Sequence, residues 1–326
     1  MMKKELLFMA TAALAASSCT QVEVDDVAAT PREPIRFEQF VGKATRTGDV
    51  TTANLTQYRV VGKMYIGDSQ SEDIDVMVTK TGDSWTSYPE IYWEDGAKYY
   101  FAATNETNSN GFKCMVKDDD HYLYNAEYSV DRLTAFDLVT AVCPAITGKQ
   151  FGNAAVSFDF RHALAKVQFT FVNGYADDTK VDIPDPALEC ILDRGSLEHR
   201  FGEEVEWQPK TTQNYQIMGG VTLTHPGESQ TQTVYVIPQD IHSDGAQGTN
   251  LTFHMTVEGT DVKNELITVG VPNDVVSKWE AGKAYNYQLT VKPKTDEQEE
   301  VKFEVDIDSW GNAEDADLED VEISEN

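Results

Sequence analysis

Residues 156–171 constrain the fold more than any other stretch of this chain. Val156, Phe158 and Phe160 alternate with Ser157 and Asp159, the period-two pattern of a strand with one apolar face. Val167, Phe169 and Phe171 then alternate with Gln168 and Thr170, but the apolar residues have moved from even to odd positions. A strand cannot change parity without a bulge, a bend or a break, so residues 161–166 hold one. A chain that reverses its buried face in this way serves two cores in turn. The stretch is predicted to be the seam between two β-domains.

The remaining segments follow the same style. Ile35, Phe37 and Val41 share one parity in residues 35–41, and Tyr58, Val60, Met64 and Ile66 share another in 58–66. Residues 74–78 make a further short strand, and 105–120 read as a polar loop region. Beyond the seam, 221–224 and 234–239 read as strands, and 251–257 with 266–271 as a hairpin. Two passages align without a gap, one on each side of the seam. They are Trp93-Glu94-x-Gly96-x-x-Tyr99-x-Phe101 and Trp279-Glu280-x-Gly282-x-x-Tyr285-x-Tyr287. Such an internal repeat predicts two related sandwiches in tandem. Short strands, frequent Gly, Asn and Asp turns and no helical period make the class all-β.

At 326 residues and 40% hydrophobic content, each half can bury a core of its own. The net charge of −29 argues against nucleic acid and anionic lipid headgroups as partners, since both would be repelled. The beginning of the chain has the marks of a lipoprotein signal. Lys3 and Lys4 precede an apolar run at 6–16, and Ala16-Ser17-Ser18-Cys19 places small residues before a cysteine. That arrangement looks like a lipobox, so Cys19 is predicted to be acylated; the apolar run itself is too short for an ordinary spanning helix. Of the remaining cysteines, Cys114, Cys143 and Cys190, no two have CxxC spacing; buried thiols are expected, with at most one disulfide.

No catalytic constellation is present. The chain has no GxGxxG, GxxxxGK, GxSxG or HExxH, so no catalytic, cofactor-binding or metal residue is assigned and no enzymatic activity is expected. The acidic run from Asp118 to His121 lacks the glycine and glutamate spacing of a calcium loop and reads as solvated. His162 reads as a packed, hydrogen-bonded histidine. Tyr88, Tyr92 and Trp93 could form a sugar platform, but a core or turn-packing role suits them better.

The run Phe158-Asp159-Phe160-Arg161-His162-Ala163-Leu164-Ala165-Lys166-Val167 closely resembles the central segment of Bacteroidales fimbrillin-like proteins, the type V pilins and Mfa-like surface lipoproteins. Residues 92–103, Phe136-Asp137-Leu138-Val139-Thr140-Ala141 and the strand ending Ile237-Pro238-Gln239 extend the resemblance over about 35–310. It implies two tandem transthyretin-like β-sandwiches after a lipoprotein signal peptide. The organisation then reads as signal peptide 1–18, tether 19–34, N-terminal sandwich 35–155, C-terminal sandwich 156–294 and acidic C-terminal segment 295–326.

The same resemblance implies a pilus subunit, stalk or tip, at the outer membrane and in surface fimbriae, assembled by protease-triggered donor-strand exchange and supporting cell adhesion. Its partners would be other pilin subunits through strand addition, the outer membrane through lipid on Cys19, an arginine-specific protease and a host protein or glycan receptor. In such proteins the protease cuts after the first strand. Here Ile35, Phe37 and Val41 mark the removable strand. Arg46 is the processing site, preferred over Arg32, which would leave the strand in place, and Arg36, which would split it. Val301, Phe303, Val305 and Ile307 all face one way after a polar linker and form the candidate donor strand. The same strand closes its own domain in the other reading of that segment, as in a tip subunit. An alternative function is a monomeric outer-membrane lipoprotein that binds glycan or host protein. A secreted hydrolase on a β-sandwich is a third reading, with no residue to supply its nucleophile.

Overall fold

The computed structural model describes residues 32–309 except 42–48, 68–69, 109–110, 119, 131–134, 149–153, 212–213, 243–247, 274–275 and 293–300. Cys19, Arg46, the linker before the candidate donor strand and the acidic end 310–326 lie outside the described residues. All regular structure among those described is strand.

The first sheet runs in the order β1 (Phe37–Val41), β10 (Val156–His162), β8 (Val139–Val142), β5 (Lys98–Thr104), β2 (Gln57–Ile66), β3 (Gln70–Thr81) and β4 (Ser84–Tyr88), with β9 (Ile146–Thr147) also on β5. The second runs β18 (Ser229–Val236), β11 (Ala165–Asn173), β23 (Lys283–Val291) and β24 (Val301–Ser309). Facing it is a third, β16 (Asn214–Ile217), β13 (Ala187–Ile191), β20 (Asn250–Val257), β12 (Val181–Ile183) and β17 (Val221–Leu223), with β21 (Glu265–Gly270) on β20. The sequence hairpin is there: β20 and β21 pair antiparallel from Asn250↔Gly270 to Met255↔Glu265.

The parity change falls at Ala163 and Leu164, between β10 and β11. Val156, Phe158 and Phe160 enter a core that also holds Phe37, Tyr58, Trp93, Tyr99 and Phe101. Val167, Phe169 and Phe171 enter another, with Leu251, Phe253, Trp279 and Tyr287. The change of core thus comes after β10. Residues 156–162, which the sequence reading grouped with the C-terminal sandwich, pair with β1 and β8 in the first sheet.

A fourth sheet joins the two halves of the chain. It runs β15 (Val205–Thr211), β14 (Arg194–Arg200), β7 (Asp120–Ser129) and β6 (Phe112–Lys117), so β14 from after the seam pairs with β7 from before it. A third core lies there, drawing Tyr100, Phe112 and Leu123 from one half and Leu197, Tyr235 and Ile237 from the other. The described residues from Glu33 to Ser309 consequently cluster as one compact unit.

One local reading is corrected by β6. Residues 105–120 are not loop throughout: Phe112 and Cys114 are buried while Lys113 and Met115 point outward. Cys114, Met115 and Val116 are consecutive apolar residues and show no period by themselves, and pairing with β7 completes the strand. Cys114, Cys143 and Cys190 are free thiols, and burial pushes Cys114 and Cys143 up to about 12.

Candidate assembly site

Among the described residues the first strand, β1, is paired on one side only. It pairs in parallel with β10, from Phe37↔Val156 to Val41↔Phe160, and is the terminal strand of its sheet. Its apolar residues face inward as their parity requires: Ile35, Phe37 and Val41 are all buried, while Phe40 is half exposed. Phe37 meets the edge of Phe101 at 5.5 Å between ring centres and stacks on Phe158 at 5.9 Å. Burial of each such side chain contributes about 1.5–3 kcal/mol.

Few other bonds hold β1. At its start the Ile35 N–H donates to the Ile91 carbonyl at 2.8 Å, and at its end Thr52 Oγ1 accepts from the Val41 N–H at 2.9 Å. The opposite flank faces β4 across a cavity of about 480 Å³ lined by Ile35, Phe37, Val78 and Trp85. Loss of β1 would open a slot floored by Phe101 and Phe158, each now fully buried.

The candidate donor strand lies elsewhere. β24 pairs antiparallel with β23 of the same chain, placing Val301, Phe303, Val305 and Ile307 opposite Val291, Leu289, Tyr287 and Tyr285. It is the last strand in the order of the second sheet. Within one chain the fold therefore does not bring β24 to β1.

The repeat has a physical basis at the atomic level. In the first copy, the Tyr99 hydroxyl accepts from the Glu94 N–H at 2.7 Å, and Trp93 packs edge-on against Tyr99. In the second, the Tyr285 hydroxyl accepts from the Glu280 N–H at 2.9 Å, while Trp279 donates its indole N–H to Tyr287. Gly96 and Gly282 turn each chain at φ +73° and +68°, where a side chain would be strained. Trp93 is thus a core residue, whereas Tyr88 is exposed.

A buried polar cluster sits between β1 and the seam, and sequence reading did not find it. Lys166 on β11 forms an ion pair with Asp49, and the Tyr235 hydroxyl on β18 donates to the same carboxylate at 3.2 Å. The next N–H, of Val50, donates to Asp137 Oδ2 at 2.7 Å, and His162 Nδ1 lies 2.9 Å from Asp137 Oδ1. Burial first, then the charges of Asp137 and Asp49, push the Tyr235 phenol well above its usual range. Lys166 falls on the polar parity of β11 with Gln168 and Thr170, so nothing in the local pattern marks it as buried.

Two further histidines serve the shared core. His121 ring nitrogen Nε2 lies 2.7 Å from the Cys143 carbonyl, so it turns inward, away from the acidic run that precedes it. His199 Nδ1 lies 2.9 Å from Thr140 Oγ1. Burial lowers both, His199 to about 4. Among the described residues no group of His, Cys, Asp and Glu is arranged to hold a metal ion.

Comparisons with known proteins follow this geometry. Over 85% of its length the chain is similar to 99% of a fimbrial protein from Bacteroides vulgatus (13% identity, TM-score 0.53). It is likewise similar to cell adhesion proteins from Bacteroides uniformis (18% identity, TM-score 0.51, covering 85% and 99%) and Bacteroides ovatus (15%, 0.52, covering 89% and 100%). At these identities the likeness is one of fold. No curated protein matches. The family model described as fimbrillin-like matches residues 45–310, and the chain belongs to the fimbrillin-like family.

Proposed function

We propose that this protein is a surface-exposed fimbrial subunit that joins its neighbours by exchange of a β-strand and so supports adhesion. Lipid on Cys19 first holds it to the outer membrane. An arginine-specific protease then cuts after Arg46, β1 leaves, and residues 301–307 of another subunit enter the slot beside β10. The observation that carries this reading is the one-sided attachment of β1, an edge strand whose Phe37 rests against Phe101 and Phe158 and which, with the preceding Ile35, contributes buried Phe37 and Val41 to the same core. An incoming strand with apolar residues at every second position, as at Val301, Phe303, Val305 and Ile307, can replace both the backbone pairing and the buried side chains. The fimbrial and adhesion proteins of the same fold support the same reading.

The pairing of β24 with its own β23 favours a second reading. A subunit that keeps this strand cannot donate it and would terminate a fibre, or stand alone as a surface lipoprotein that binds a host protein or glycan. Two variants separate the cases: Arg46→Ala, and truncation after Lys294. The first reading expects both to abolish detergent-resistant polymers on non-boiled gels, with Arg46→Ala also retaining the unprocessed mass. Polymers at wild-type level in both variants would overturn strand exchange. Polymer loss in Arg46→Ala alone would identify a terminal subunit that accepts a strand without giving one.

A further inference from the structure

Asp49 and Lys166 form a buried pair of opposite charges, with side chains only 0% and 1% exposed. Residues 49 and 50 are held twice in succession. Asp49 meets Lys166 and Tyr235, and the Val50 N–H meets Asp137, which in turn faces His162. Lys166 is the second residue of β11 and His162 closes β10, so these contacts fall on both sides of the crossing at Ala163 and Leu164. The backbone behind them is also tied, since Asn54 Nδ2 donates to the Asp49 carbonyl at 2.6 Å and the Leu55 N–H to the Thr51 carbonyl at 2.9 Å.

The attachment of β1 is of another kind. It consists of a ladder to β10 and apolar burial in the first core. Segments 37–41 and 49–55 are therefore fastened by different forces to different places, although Thr52 connects them through Gln39 and Val41. Burying two charges carries a desolvation cost that often cancels their attraction, so such a pair is better suited to fixing a position than to adding stability.

We propose that Asp49, Lys166 and Asp137 form a clasp that retains residues 49–55 at the seam when β1 is absent. Asp49 and Lys166 act here as positioning residues. The inference rests on the removal of β1 proposed above: the clasp keeps the new end of the chain out of the vacated slot, leaving it open for an incoming strand. Without it, the released segment would be the nearest competitor for that slot.

Hydrogen exchange on the full chain tests the clasp without any protease. Phe37→Asp places a carboxylate against Phe101 and Phe158 and should loosen β1. Amides of 37–41 are then expected to exchange at least about tenfold faster, while Val50 and Leu55 keep their wild-type protection. Adding Asp49→Ala with Lys166→Met removes both charges together and leaves no lone buried ion. That variant should raise exchange at Val50 and Leu55 by about tenfold or more while β11 and β23 stay protected. Should the combined variant fail to fold, Asp49→Asn in the Phe37→Asp background reads the same amides. The clasp is overturned if Phe37→Asp alone releases Val50 and Leu55 with β1. It is equally overturned if Val50 and Leu55 stay protected once Asp49 is changed. Polymer formation plays no part in either result, so failure of strand exchange would be seen separately on the gels.

Discussion

Tyr99 and Tyr285 do the same work at the two copies of the internal repeat: each hydroxyl accepts the backbone N–H of the glutamate five residues before it, Glu94 or Glu280. The bond closes the turn that leads from a buried tryptophan into a core strand. Tyr99→Phe and Tyr285→Phe should each cost about 1–2 kcal/mol, because a partly buried donor loses its acceptor. Denaturant titration checks this, and similar losses at the two sites are expected. A loss at one site alone would show that the copies have diverged in role.

Phe158 should be among the costliest positions in the first core. It is fully buried and touches Phe37, Tyr58 and Phe160. Phe158→Ala is expected to lower stability by about 3–5 kcal/mol. Phe40→Ala, on β1 but half exposed, should change it by about 0.5 kcal/mol or less. Urea midpoints of the two variants give the contrast.

Acid should weaken the shared core through its histidines. His199 is held to about 4 in the folded protein against an ordinary 6.5, by burial first and then by the nearby Arg161 charge. The folded state therefore binds fewer protons than the unfolded one in this window. The associated stability is fully present above pH 6.5 and is lost as pH falls toward 4, at most about 3 kcal/mol. His121, also lowered by burial, acts in the same direction. Urea unfolding at pH 7.5 and 4.5 should show the loss, and His199→Gln should shrink it.

Lipidation is tested on cells. Cys19→Ala should abolish incorporation of labelled fatty acid and leave unprocessed or released protein. Equal labelling of variant and wild type would remove Cys19 as the anchor.

Much of the architecture was legible without coordinates because period-two alternation reports directly on burial. The parity shift in 156–171 located the change of core, and the two Trp-Glu-x-Gly-x-x-Tyr passages located matching turns, since glycine at positive φ and a buried tryptophan leave residue-level marks. Ile35, Phe37 and Val41 were readable as one buried face for the same reason. Other features depended on residues far apart in the chain. In β6 the apolar residues Cys114, Met115 and Val116 are consecutive and show no period, and only its pairing with β7 makes it a strand. The sheet joining β7 to β14 has no local signature, because strand pairing between distant segments is set by backbone geometry and by the apolar surface each presents. Asp49 and Asp137 read as two acids among 55 until folding brought them to Lys166, His162 and Val50. Alternation is a local property of the chain, and it determined which faces are buried. Which buried faces meet, and which charges must be paired once water is excluded, was decided by tertiary structure alone.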